Sequence, residues 1–172
     1  MTKGHSHRGE EVRVGDYTIM AGGTTYLRPE DLRKADLLIP LTTNSIPYEF
    51  GKRYQVLAMP LVDYGGVPDY WKEWLEVVID ELKQGKKILA FCEGSHGRTG
   101  TFIASLIALL ESEKETPDPI AAARERHCEK AVETRAQAEA VFALRERQLS
   151  SLYEREFSAR PAFLPGAPQP KV

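Results

Sequence analysis

Cysteine is scarce in this chain of 172 residues, with Cys92 and Cys128 the two present. Two thiols so far apart lack metal-ligand spacing and are too few for the disulfide framework of a small secreted domain, so a reducing compartment fits. An excess of one charge is also missing, since 23 basic and 25 acidic side chains leave a formal net charge of −2. That balance argues against a general nucleic-acid or membrane-surface binder, which needs a clear cationic surplus. No apolar run approaches the roughly 20 residues that span a bilayer. The start Met1-Thr2-Lys3-Gly4-His5-Ser6-His7-Arg8 has no apolar stretch of the signal-peptide kind. These absences lead to the expectation of a cytoplasmic protein with neither membrane nor nucleic acid among its partners. No internal repeat is visible.

A hydrophobic content of 42% is enough to bury a core without staples, so one domain is expected. Residues 1–11 are polar and read as a flexible N-terminus, 12–157 as the domain, and the proline-rich 158–172 as a flexible tail. Within the domain, 12–21 suggests a small hairpin about Gly15-Asp16, and Pro29 opens a short helix. Apolar runs at 36–41, 55–61 and 87–91 read as strands. Helices are expected over 69–84 with Gly85 as stop, over 99–113, from Pro117 or Pro119 onward, and from about 134 to past 149. The alternation implies a single α/β domain with a central, mostly parallel sheet flanked by helices on both faces.

The most informative stretch is Phe91-Cys92-Glu93-Gly94-Ser95-His96-Gly97-Arg98-Thr99-Gly100, between a strand end and a helix start. Backbone amides from Glu93, Gly94, Ser95, His96, Gly97 and Arg98 can converge there on an oxyanion, and the helix dipole adds positive charge. The Arg98 guanidinium can clamp two oxygens at once. The same field favours a thiolate, which makes Cys92 a nucleophile aimed at whatever phosphorus the cradle holds. The bland alternative is a tight turn with a buried structural cysteine. Three glycines argue against it, because glycine costs backbone entropy and suits places where backbone must approach something closely.

Phosphoryl transfer also needs an acid for the leaving oxygen. Met59-Pro60-Leu61-Val62-Asp63-Tyr64-Gly65-Gly66-Val67-Pro68-Asp69 runs from a strand end into a Gly-Gly loop. Asp63 is the first choice. Asp69 is the runner-up, since it precedes an apolar helical period and reads as an N-cap.

The strand, the Cys-x5-Arg-Thr loop and the apolar helix together resemble the cysteine-based protein phosphatases, more closely the compact dual-specificity and protein-tyrosine-phosphatase-like forms. The resemblance implies that Thr99 helps the sulfur leave a phosphoenzyme, that Asp63 lies in the family's aspartate loop, and that no metal or cofactor is required. Ala131-Val132-Glu133-Thr134-Arg135-Ala136-Gln137 is similar to the family segment whose glutamine places the hydrolytic water, so Gln137 carries that role by resemblance. Two departures stand out: Phe91 where members usually have histidine, and Ser95 where they usually have glycine.

The reading is a phosphatase with a phosphocysteine intermediate, acting on a phosphorylated protein or peptide at phosphotyrosine, with phosphoserine and phosphothreonine as further candidates. A non-protein substrate (inositol phosphate, phosphoinositide or RNA 5′ phosphate) and a non-catalytic phospho-ligand module stay open as alternatives. His5 and His7 carry no metal expectation in a polar terminus, and His127-Cys128 reads as a partly exposed polar face. Arg124, Arg126, Arg135, Arg145 and Arg147, interleaved with Glu125, Glu129, Glu133, Glu139 and Glu146, read as a solvated helix surface.

Overall fold

Strands form here where short apolar runs can bury both faces. The computed structural model describes residues 6–44 and 54–158. In chain order the elements are β1 (Arg8–Val14), β2 (Tyr17–Gly23), α1 (Pro29–Leu32), β3 (Leu37–Pro40), β4 (Gln55–Val56), α2 (Trp71–Lys83), β5 (Ile88–Cys92), α3 (Gly97–Leu110), α4 (Pro119–Arg126), α5 (Arg135–Ala143) and α6 (Ser151–Ser158). The sheet order is β1-β2-β5-β3-β4, antiparallel between β1 and β2 and parallel elsewhere.

Side chains alternate across this sheet, and the two faces are covered unequally. Leu37, Ile39, Ile88, Ala90 and Cys92 belong to the large core beneath α2 to α6. Leu38, Leu89 and Phe91 belong to a small core that Leu32 of α1 and Ala35 help to close. Helix α3 is buried on nearly every side, from Gly97 to Ala108. The Trp71 indole N–H donates to Ser105 Oγ at 3.1 Å, and Trp74 packs on Phe102, which fixes α2 against α3.

Several expectations need correction. The N-terminus, read as flexible over 1–11, is a strand from Arg8 onward, and His7 is buried. Its polar side chains alternate with apolar ones only after Glu11, so a pattern reading starts the strand too late. The hairpin itself turns at Gly15, in the left-handed region with φ +62°. The run 55–61 is a strand only at Gln55–Val56; beyond it, Leu57, Met59 and Leu61 donate singly to Leu38, Pro40 and Leu41, while Pro60 has no amide to give. Asp69 does not cap α2, whose N-cap is Tyr70 without a side-chain bond. The expected long helix from 134 to past 149 is two helices, broken after Ala143 with Glu146 at φ +55°. Residues 1–5, with His5, and 159–172, with most of the proline-rich segment, lie outside the described residues.

Arg135 and Arg147 are solvated as expected, but Arg124, Arg126 and Arg145 of the same set work as staples. Arg145 donates to the carbonyls of Ala108, Glu111 and Thr116 at 3.1, 2.9 and 2.6 Å, satisfying groups that the end of α3 leaves unpaired. Arg124 donates to the carbonyls of Ala131 and Val132 and forms a bidentate pair with Glu156. Arg126 forms the same kind of pair with Glu111, whose carboxylate also accepts from Gly15 N at 2.9 Å and Thr116 Oγ1 at 2.5 Å. Glu111 thus joins the hairpin turn, the end of α3 and α4.

These donors, Arg126 foremost, hold the Glu111 carboxyl down to about 2, well below the usual carboxylate range. A lowered folded value means stability that is present above pH 4.5 and is lost as pH falls toward 2. Glu111→Gln should therefore lose about 1–3 kcal/mol at neutral pH. Its urea midpoint should also fall less steeply than that of the wild type between pH 5 and 2. Parallel pH profiles for the two proteins would refute this account.

Candidate active site

Alternation along β5 decides where the thiol points. With Leu89 and Phe91 in the small core, Cys92 faces the large one and is 3% exposed. Its Sγ accepts a hydrogen bond from Thr99 Oγ1 at 3.0 Å. Phe91, in the place of the family's histidine, is a packing residue of the small core, so polar support for the loop comes from elsewhere.

That support is His127, at the end of α4. Ser95 adopts φ +64°, a conformation that costs a non-glycine residue about 1–2 kcal/mol. Its side chain is fully buried, and His127 Nε2 lies 2.7 Å from the Ser95 carbonyl and 3.2 Å from its hydroxyl. Burial holds His127 down to about 4, so the ring is neutral and its Nε2–H donates to that carbonyl. The second departure from the family pattern is thus a strained serine with a dedicated brace.

Glycines let other backbone close on the loop. A Cβ on Gly23 would stand 2.6 Å from the Glu93 carbonyl oxygen, and one on Gly100 would stand 2.5 Å from Ala131 Cα. No side chain caps α3, whose N-cap is His96. Its first amides are left for other acceptors.

Arg98 is 3% exposed and meets the acid loop directly. Its Nη1 donates to Leu61 O at 3.3 Å, and its Nε is buried without a hydrogen bond, 3.6 Å from Asp63 Oδ1. Glu93 Oε2 stands 3.7 Å from Nη2, while its other oxygen accepts from Asn44 Nδ2. The Asp63 side chain is half exposed, in reach of both solvent and the guanidinium. Asp69 has no ion pair with Arg98 among the described residues, so the geometry brings together Cys92, Arg98, Thr99 and Asp63.

Glu133, whose charged neighbours in sequence suggest a solvated surface, lies at the site instead. Glu133 is half-buried, and its carboxylate accepts from the Gly97 amide at the start of α3. Burial raises its proton affinity first, and the Asp63 charge adds to that. Val132 before it sits at φ +63°, a strained conformation for a β-branched residue, clamped by Arg124 on its carbonyl. A signal existed in the pairing of Gly97 with this segment, but it is a contact across 36 positions that no local period reveals.

Gln137 is 2% exposed, and its Oε1 accepts from the amides of Glu133 and Thr134 at 2.7 and 3.3 Å. Thr134 Oγ1 accepts from Gln137 N in return, a capping box that opens α5 and positions Glu133. Only its NH2 group is left for the water-placing role that the resemblance implies. Beside the loop, His7, Glu10, His96, His127 and Cys128 gather potential metal ligands from three distant segments. No helix among the described residues is long and apolar enough to cross a membrane.

No family model matches the sequence. Two uncharacterised proteins of Methanocaldococcus jannaschii are 37% and 36% identical over 98 residues, 55% of this chain. The matched region is 57% and 62% of their lengths, so the chain spans less than two thirds of the curated relatives it matches. Among solved structures, Tk-PTP in its active form aligns with TM-score 0.64 and 26% identity, over 80% of this chain and 97% of that one. Kinase associated phosphatase with its catalytic cysteine replaced by serine gives 0.60 at 15% identity, over 92% and 100%. PTPMT1 in complex with PI(5)P gives 0.58 at 15% identity, over 83% and 93%. The chain has the fold of the cysteine-based protein phosphatases and carries a Cys-x5-Arg loop of their kind.

Proposed function

We propose that the protein is a phosphomonoesterase that dephosphorylates proteins or peptides, at phosphotyrosine first, through a phosphocysteine intermediate. The observation that carries this reading is the Thr99 Oγ1 to Cys92 Sγ hydrogen bond of 3.0 Å, formed beside a buried Arg98. A hydroxyl donating to sulfur stabilises the thiolate, both as attacking and as leaving group.

In the first step Cys92 Sγ bonds to phosphorus as the ester P–O bond breaks, and Asp63 gives its proton to the departing oxygen. Arg98 and the amides of residues 93–98 hold the equatorial oxygens, a geometry that is worth most where charge develops. In the second step water attacks the phosphocysteine, Asp63 takes up the proton, and the S–P bond breaks with Thr99 donating to the released sulfur. Gln137 places that water on the strength of the resemblance, with its NH2 as donor. The aspartate is suited to both steps because solvent reaches it while Arg98 stands beside it.

Phosphoinositide is the second reading, since PTPMT1 is seen with PI(5)P. The charge around the cradle favours the first. Asp63 and Glu93 flank Arg98, and Glu133 accepts from Gly97, so three carboxylates ring the site. Such a rim suits a single phosphate on a neutral or basic peptide and repels a polyphosphorylated ring. A panel of phosphotyrosine peptide, phosphothreonine peptide, inositol polyphosphate and 5′-phosphorylated RNA tests this, with turnover expected on the first. Turnover confined to the last two would move the substrate assignment. Binding without turnover of any would leave a phospho-ligand module.

Cys92→Ser should abolish turnover and keep vanadate binding, because the Arg98 cradle survives; wild-type rates from the serine variant would end the covalent mechanism. Asp63→Asn should slow poor leaving groups by about 10²-fold or more and activated aryl phosphates much less. The reverse pattern in Asp69→Asn would move the acid. Glu133→Gln should tighten vanadate inhibition by about three- to tenfold, since it removes a like charge from the anion site. Unchanged or weaker inhibition would show that Glu133 does not compete with the substrate phosphate.

A further inference from the structure

His7 is 1% exposed, yet its ring is not a satisfied core histidine. Nδ1 bonds to the Glu10 carboxylate, and the buried Nε2 has no nitrogen or oxygen partner, the ring's other hydrogen bond being to the Cys128 thiol, a weak partner. The groups around it are metal ligands. Ligand atoms of His7, His96 and Cys128 all lie within 4.8 Å of one another.

The rings are oriented for a shared ligand. The Nε2 edge of His96 lies over Gly94, where a Cβ would be 3.3 Å from that nitrogen. Its Nδ1 edge faces Cys128 Sγ at 3.4 Å. Tetrahedral zinc, with bonds of about 2.0–2.1 Å to nitrogen and 2.3 Å to sulfur, sets its nitrogen and sulfur ligands about 3.6 Å apart. The His7 and His96 rings are edge to face with centroids 5.2 Å apart, which leaves their planes free to converge on one point. Glu10 on Nδ1 is the usual outer carboxylate of a metal-bound histidine, fixing the tautomer that leaves Nε2 as the ligand.

We infer that His7 Nε2, His96 Nδ1 and Cys128 Sγ form a binding site for a borderline-soft divalent cation of the zinc type, with Glu10 orienting His7. Two imidazoles and a thiolate do not suit calcium or magnesium, which take oxygen ligands. The ion would tie the N-terminal strand and the turn after α4 to His96, the residue that opens α3 inside the phosphate loop. Cys128 binds as thiolate and releases its proton on loading; no electron transfer is involved.

The test uses untagged full-length protein, stripped with chelator under reducing conditions and titrated with Co2+ alone. One equivalent should bind with a thiolate-to-cobalt charge-transfer band in the near ultraviolet, and Zn2+ should displace it. The band should persist in Cys92→Ser, which removes the nucleophile, and disappear in Cys128→Ser. Zn2+ should raise the melting temperature of wild type and Cys92→Ser, and leave that of His96→Gln unchanged. Should Cys128→Ser fail to fold, His96→Gln, altered at a partly exposed loop position, gives the same decision from the cobalt spectrum. A wild-type spectrum without the band, a band kept in Cys128→Ser or His96→Gln, or one lost in Cys92→Ser would overturn the site. Because the readout is spectroscopic and thermal, it stands or falls apart from the phosphatase reading.

Discussion

The brace from His127 to Ser95 is the interaction on which the rest of the site depends. A loop that is to hold an anion sets amides and a guanidinium close together, and their like positive ends repel, so its shape has to be held before an anion arrives. Ser95 at φ +64° makes the turn, and the 2.7 Å bond from His127 to its carbonyl keeps it there. Glycine would make the same turn without strain, but would offer no buried hydroxyl. The serine trades intrinsic ease for a contact that makes the loop's shape conditional on α4.

The same helix controls the second strained residue. Arg124 clamps the carbonyls of Ala131 and Val132, and Val132 at φ +63° then swings Glu133 onto the first amide of α3. Gly100 permits this, since any Cβ there would meet Ala131. One short helix therefore sets both the floor of the cradle, through His127, and its acidic rim, through Arg124. Tyr153 completes the arrangement from α6 by donating to Asp118, the cap of α4, at 2.7 Å.

Legibility in the sequence follows the range of the forces involved. The Cys92 loop, the buried α3 and the parallel strands around them are local patterns of spacing and apolar period, and these appear in the structure as read. The placement of Asp63 beside Arg98 follows from the same local reading, since a Gly-Gly loop after a strand is a place to carry an acid. His7, Glu133 and the stapling arginines were not reachable, because their roles lie in partners far along the chain. A histidine in a polar start looks idle until β1 pairs with β2 and sets it beside a loop 89 positions away. Likewise, an arginine amid glutamates looks solvated until the carbonyls at the end of α3 turn toward it.

Charge explains why the site needs this much support. Arg98 is buried, and the carboxylates of Asp63 and Glu93 stand at 3.6 and 3.7 Å, too far to be full hydrogen-bonded partners and close enough to offset its charge. A tight salt bridge would have to be broken by each incoming phosphate, and a lone buried cation would be costly to fold around. Loose pairing meets both demands. The Arg98 Nε keeps its hydrogen unspent, so in the proposed reaction a phosphate oxygen would gain a bond there without displacing one. The same spacing leaves Asp63 beside the arginine yet half in water, which is the setting that the proposed proton donor requires.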